Sequence, residues 1–162
     1  MPASVIGTTI FGFVFWFGSP IVVRALGYTP NVRARVWLVM GIVAVAVSWY
    51  LPSPWLTDHT VTFSQHAVGG GVASVCVTYY LISHVPQTTF IQRGLAVLAV
   101  TSVLGVGNEM LELALDEVRG TRLTADAAWD LFANTLGALA AFLVLEAGRR
   151  VFRRRPAPEL SP

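Results

Sequence analysis

Two sets of polar residues in the second half of the chain recur at helical spacing. Glu109, Glu112 and Asp116 are separated by three and four residues, so they share one face of a helix. A second set follows at intervals of four residues: Asp126, Asp130 and Asn134. Carboxylates are ligands for Mg, Mn and Zn, and carboxylates paired with a histidine can position a water molecule for hydrolysis.

Histidines in an earlier segment have a spacing that lets them join these carboxylates. His59 and His66 are seven residues apart, which is about two helical turns. Three helices can therefore direct polar side chains at one point. The candidate catalytic residues are His66, Glu109 and Glu112. The candidate metal ligands are Glu109, Asp126, Asp130 and His66. The supporting polar residues are Asp58, His59, Asp116, Arg122 and Asn134.

Two other interpretations of these residues stay open. The same side chains can form a buried hydrogen-bond network that fastens three helices together. They can also form a relay for protons or cations, because ionisable residues within membrane helices often mark a transport path. The half of each apolar segment that lies farther from these residues carries few polar side chains. This favours a site at one end of the helices over a continuous path for protons or cations.

The elements that position these residues are predicted to be membrane helices. Of the 162 residues, 54% are hydrophobic and 12% are charged, and the mean hydropathy is +0.63. This composition excludes an ordinary water-soluble globule. Five segments have the length of about 20 mostly apolar residues that a helix needs to cross a bilayer core. The predicted spans are 5–23, 34–51, 61–83, 94–115 and 127–147.

These spans predict an all-α, polytopic membrane protein with about five transmembrane helices. Residues 1–155 form one helical domain, and the Pro-rich tail 156–162 is expected to be disordered. Three neighbouring glycines, 69–71, favour close packing of the third helix against another helix. The single cysteine, Cys76, excludes an intrachain disulfide.

The distribution of arginine predicts the orientation of the bundle. The connections after the first and third spans, together with the C-terminal tail, carry most of the 11 basic residues. The positive-inside rule then places the N-terminus outside and the C-terminus in the cytoplasm, so the acidic sets face outward. The basic charge is concentrated in the tail, which favours anionic lipid as its partner, and we expect no nucleic-acid binding.

Four stretches of the sequence resemble motifs of one membrane-protein family. They are Phe63-Ser-Gln-His-Ala-Val-Gly69, Asn108-Glu-Met-Leu-Glu112, Arg122 and Asp130-Leu-Phe-Ala-Asn-Thr-Leu-Gly137. In order and spacing they are similar to the motifs of the VanZ-like and YjdF-type integral membrane proteins, and they cover about half the chain. The family's first motif starts with an aspartate that aligns with Thr62, and the nearest acidic residue is Asp58. Whether Asp58 replaces that aspartate stays open.

The resemblance implies a role at the cell envelope and, with the acidic sets, leads to a functional hypothesis. We expect a protein of a prokaryotic cytoplasmic membrane that binds or hydrolyses the phosphoester head group of an envelope lipid with a divalent cation, Mg, Mn or Zn. If it is an enzyme, it is a metal-dependent membrane hydrolase or phosphatase. The alternatives are a small transporter or channel subunit and a non-enzymatic partner in a membrane complex. Membrane lipids are the expected partners, and a homo-oligomer stays open.

Overall fold

The described residues form a bundle of five helices. The computed structural model describes residues 3–54, 62–119 and 127–153, and all regular secondary structure in these ranges is helical. Helix α1 (3–25) consists of Ala3–Phe13, the π-helical segment Val14–Gly18 and Ser19–Ala25. Helix α2 is Arg35–Ser48. Helix α3 (63–82) consists of Phe63–Gln65, the π-helical segment His66–Val72 and Ala73–Ile82. Helices α4 and α5 are Phe90–Arg119 and Ala127–Arg153.

Three of these helices are long and apolar enough to cross a membrane, namely α1, α4 and α5. Their apolar segments are Val5–Ala25, Phe90–Ala114 and Ala127–Val151. Helix α2 is apolar but has 14 residues, fewer than the roughly 20 that span a bilayer core. The prediction of an all-α bundle of five helices is confirmed for the described part of the chain, and the bundle is compatible with a membrane protein.

The last two helices extend beyond the apolar segments predicted from the sequence. Helix α4 begins at Phe90 rather than at Gly94, and α5 continues to Arg153 rather than ending at Ala147. The backbone hydrogen bonds of a helix do not require apolar side chains, so a helix can continue where an apolar segment ends. As a consequence, Arg93 lies inside a helix and not in a connection.

Helix α3 lies at the centre of the bundle. Every residue from 73 to 80 is buried, so this part of the helix is covered on all sides. A helix that is apolar around its whole circumference requires such an environment. The outward surfaces of other helices carry exposed apolar side chains, among them Phe13, Val103 and Val144. An apolar outer surface of this kind suits contact with lipid chains.

Glycines allow α3 and α5 to approach until their backbones touch. A Cβ atom at Gly137 would overlap the carbonyl oxygen of Ala67. A Cβ atom at Gly71 would lie 2.5 Å from the carbonyl oxygen of Asn134. The close packing predicted for glycines 69–71 is therefore confirmed, and it fixes the register of α5 on α3.

The connections meet at two opposite ends of the bundle. The backbone N–H of Asn31, after α1, donates a hydrogen bond of 2.8 Å to Nε2 of His84, after α3. At the other end, the backbone N–H of Ser64 donates a hydrogen bond of 3.0 Å to Oγ of Ser53, after α2. Successive helices therefore alternate in direction, so α4 runs opposite to α3 and α5.

Candidate functional site

Three predicted site residues from three different helices converge at one end of the bundle. His66 on α3, Glu109 on α4 and Asp130 on α5 each offer one ligand atom, and these atoms all lie within 4.8 Å of one another. We call these residues the His-Glu-Asp cluster. Asp130 is buried, and the other two are half-buried. The helical spacing that selected these residues in the sequence therefore corresponds to a real convergence of side chains.

Asp130 contacts both a residue of the cluster and a neighbouring threonine. Its Oδ1 accepts a hydrogen bond of 2.9 Å from Oγ1 of Thr62, and the same atom lies 3.4 Å from Nε2 of His66. Thr62 therefore belongs to the site as a hydrogen-bond donor to Asp130.

His66 is also the first residue of the π-helical segment of α3. A π-helical turn shifts the register of the side chains that follow it, and such turns are frequent at functional sites. Here the segment contains the glycines that contact α5, so the change of register accompanies the close approach of the two helices.

Two buried polar atoms near the cluster lack a hydrogen-bond partner among the described residues. They are Oε1 of Glu109 and Oδ1 of Asn134. The Asn134 side chain lies where a Cβ atom at Gly70 would overlap its Oδ1, and where one at Gly105 would lie 3.2 Å from its Nδ2. Because a buried polar atom without a partner costs free energy, such atoms point to a bound group or to water.

The other predicted residues are placed differently or lie outside the described ranges. Glu112 is exposed, and its Oε1 accepts a hydrogen bond of 2.8 Å from Nδ2 of Asn108. It is not one of the three residues whose ligand atoms converge. The predicted residues that lie outside the described ranges are Asp58, His59, Arg122 and Asp126. The backbone of Asp116 belongs to α4, but its side chain is not among those that the structure describes.

The cluster has the composition and nearly the dimensions of a divalent-cation site. Ligand atoms of Mg or Zn lie about 2.0–2.2 Å from the ion, so two of them are at most about 4.4 Å apart. The ligand atoms of the cluster lie within 4.8 Å of one another, which is close to this distance. One imidazole nitrogen and two carboxylate oxygens would leave coordination positions for water or for a phosphate oxygen.

A second group of charged residues, which the sequence interpretation missed, lies at the other end of α3, α4 and α5. Arg93 donates from Nε to Oε1 of Glu146 at 2.8 Å and from Nη2 to Oε2 at 2.6 Å. The hydroxyl of Tyr79 donates to Oε1 of the same carboxylate at 2.6 Å. We call Tyr79, Arg93, Glu146 and Arg149 the arginine cluster.

The sequence contains a signal for this pairing. Arg93 precedes Glu109 by 16 residues, and Asp130 precedes Glu146 by the same number. On two antiparallel helices, equal spacings place Glu109 at the level of Asp130 and Arg93 at the level of Glu146. These two levels are about 24 Å apart along the bundle. Treating Arg93 as part of a connection concealed this match.

The comparisons with known proteins give no match: no family model, no curated protein and no solved structure is similar to this chain at a significant level. The resemblance to the VanZ-like proteins therefore rests on the four sequence stretches alone. The site has to be interpreted from its own geometry and chemistry.

Proposed function

We propose that this protein is a VanZ-like integral membrane protein of a prokaryotic cytoplasmic membrane that binds a divalent cation in the His-Glu-Asp cluster. The cation serves to bind the phosphate of an envelope-lipid head group. In this proposal the N-terminus is outside, the C-terminus is in the cytoplasm, and the cluster faces outward. The convergence of His66, Glu109 and Asp130 from three helices is the observation that carries the proposal.

The charge of the cluster supports the need for a cation. Glu109 and Asp130 would repel an anionic head group, whereas a divalent cation between them attracts phosphate oxygens. The buried Oε1 of Glu109 has no partner among the described residues, so it is available to a cation. Thr62 restrains Asp130, as hydrogen-bonded neighbours commonly restrain carboxylate ligands.

Hydrolysis is the reaction class that this arrangement favours if the protein is an enzyme. The cation would supply charge neutralisation at the phosphate and a site for water. Because His66 holds the cation in this proposal, Glu112 would accept a proton from the attacking water as the water oxygen forms a bond to phosphorus. The ester bond to the leaving alcohol breaks, and that alcohol takes up a proton.

A structural network is the second candidate, and a specific contact favours it. Thr62, His66 and Asp130 are already linked to one another, so they can hold α3 and α5 together without any ligand. A transport path is less well supported, since the apolar side chains Val75, Val97, Ala138 and Phe142 are buried between the two polar clusters.

A thermal-shift titration of the detergent-purified protein with Mg, Mn, Zn and Ca tests the proposal. We expect a saturable rise in Tm with at least one of these ions, because a ligand at 100 times its Kd adds about 2.7 kcal/mol to the stability. The Glu109→Gln variant keeps the shape of the side chain and removes its charge, so the rise should disappear.

Glu112→Gln is the matched control for cation binding. Glu112 lies on the same helix but is exposed and outside the cluster. Its replacement should therefore preserve the cation-induced rise in Tm and change the apparent Kd less than twofold. The absence of a rise with every ion, together with a less stable Glu109→Gln variant, would contradict cation binding and favour the structural network. An equal loss in both variants would indicate unspecific binding to surface carboxylates.

A further inference from the structure

A cavity of about 300 Å³ lies beside the arginine cluster. It is lined by side chains of α2, α3, α4 and α5 and by the connection between α3 and α4. The lining residues that bear on its chemistry are Trp37, Tyr79, Ser83, Thr88, Arg93 and Arg149. Its volume is at the lower end of the range for small-molecule sites, and it can hold a phosphate group with a few further atoms.

The two arginines at the cavity differ in how fully they are engaged. Arg93 is bound to both oxygens of Glu146 through Nε and Nη2, and its Nη1 donates to the carbonyl oxygen of Thr88. Arg149 is less engaged: its Nη1 lies 3.7 Å from Oε1 of Glu146, beyond hydrogen-bond distance. Its side chain is 39% exposed, against 11% for Arg93.

The charges at the cavity do not balance among the described residues. Arg93 and Arg149 bring two positive charges, and Glu146 brings one negative charge, so a single anion would neutralise the group. The Arg149 guanidinium also lies over the Tyr79 ring, with its Cζ 5.7 Å from the ring centroid. Arg149 and Tyr79 both line the cavity, so this contact lies at its wall.

We infer that this cavity is a binding site for a phosphate anion, with Arg149 as the principal donor and the Arg93–Glu146 pair as its rigid support. Guanidinium groups bind phosphate oxygens through paired charged hydrogen bonds. The phosphate can belong to an anionic lipid head group or to a free phosphate compound. The site is separate from the His-Glu-Asp cluster, so the test of phosphate binding here does not depend on the proposed function.

Thermal-shift titrations of the purified protein in detergent test this inference with three probes. They are dioctanoyl phosphatidylglycerol, dioctanoyl phosphatidylcholine as the zwitterionic counterpart, and inorganic phosphate. A saturable rise in Tm with the anionic lipid, and an at least tenfold weaker effect of phosphatidylcholine, would assign the site to a lipid head group. A saturable rise with inorganic phosphate at similar concentrations would assign it to a free phosphate.

Neighbouring arginines provide the matched pair of variants. Arg149→Gln should raise the apparent Kd for the effective probe at least tenfold. Arg150→Gln makes the same change of charge one residue away, where the guanidinium lies over the Phe90 ring with its Cζ 5.2 Å from the centroid, and should change the Kd less than twofold. Both variants keep the Arg93–Glu146 pair, so their Tm without ligand should stay near that of the wild type.

A variant without a change of charge keeps the inference testable if Arg149→Gln does not fold. Ser83→Leu places an apolar side chain in the cavity and should also weaken binding at least tenfold. The inference is overturned if no probe raises the Tm, if phosphatidylcholine raises the Tm as much as phosphatidylglycerol does, or if Arg149→Gln and Arg150→Gln weaken binding to the same extent. It is likewise overturned if Ser83→Leu binds the probe as the wild type does.

Discussion

At the scale of single residues, the hydrogen bond from Thr62 to Asp130 defines the candidate site. A threonine hydroxyl can donate only one hydrogen bond, and here it donates to the Asp130 oxygen that also faces His66. This leaves the other carboxylate, that of Glu109, with a buried oxygen that no described residue satisfies. The site thus combines one restrained carboxylate with one that is available to a ligand.

Thr62→Val tests the restraining role of Thr62. Valine has nearly the shape of threonine but cannot donate to Asp130, so the carboxylate gains freedom. We expect the apparent Kd for the effective cation to rise about tenfold, as is typical when a hydrogen-bond partner of a metal ligand is removed. Cation titrations monitored by thermal shift measure this change, and an unaltered Kd would show that Thr62 does not position the ligand.

Glu146→Gln tests the ion pair at the opposite end. The replacement leaves Arg93, whose side chain is 11% exposed, without its charged partner. Removing one member of a buried ion pair typically costs about 3–5 kcal/mol, so we expect a large fall in Tm. The pair would be shown to contribute little if Glu146→Gln unfolded at the wild-type temperature.

At the scale of helices, the contact between α3 and α5 positions two of the three cluster residues. Gly137 lies directly against the backbone of α3, whereas a Cβ at Gly148 on the same helix would meet no atom of another described segment within 4 Å. The two glycines therefore have different roles. Only the first is required for helix packing.

Alanine replacements separate these roles. Gly137→Ala forces α3 and α5 apart, and overpacking of this kind costs about 1–3 kcal/mol, so the Tm should fall. Gly148→Ala is the matched control and should leave the Tm unchanged or raise it, since alanine favours helix over glycine by about 1 kcal/mol. Equal effects on thermal unfolding in detergent would contradict the close contact.

The sequence predicted the helices better than their ends or their mutual register. Apolar segments correctly indicated five helices, because hydropathy reports which residues avoid water. It does not report where backbone hydrogen bonding stops, so the helical positions of Arg93 and Arg149 were missed. The π-helical segment at His66 was also missed. It contains the glycines that contact α5, and no local pattern encodes that contact.

The candidate site could be predicted from the sequence only in part. Spacings of three, four and seven residues place side chains on one face of a helix, and His66, Glu109 and Asp130, which these spacings singled out, lie close together in the structure. The same spacings could not show that Glu112 is exposed, because the direction of each face depends on how the helices pack. The role of Thr62 was hidden because its partner, Asp130, is 68 residues away in the sequence.

At the scale of the whole molecule, the bundle carries two polar clusters at opposite ends of α3, α4 and α5. An apolar layer around Val97 and Phe142 lies between them. The two ends have opposite chemistry, since one offers carboxylates and imidazole and the other offers arginines. This polarity matches the proposed orientation, in which arginines face the cytoplasm.

Cysteine labelling of spheroplasts tests that orientation. Cys76 is buried and is replaced by alanine to give a background without cysteine. In that background, Tyr50→Cys at the end near the His-Glu-Asp cluster should react with a membrane-impermeant maleimide. Gln87→Cys at the other end should react only after permeabilisation. The reverse pattern would contradict an outward-facing cluster.

Electron spin-echo spectroscopy of the purified protein with bound Mn²⁺ tests directly whether His66 is a ligand of the cation. We expect modulation from one imidazole nitrogen that is lost in His66→Gln and retained in His84→Gln, because His84 lies at the opposite end of the bundle. Absence of nitrogen modulation in the Mn²⁺-bound protein, or modulation that persists in His66→Gln, would contradict a cation site formed by His66, Glu109 and Asp130.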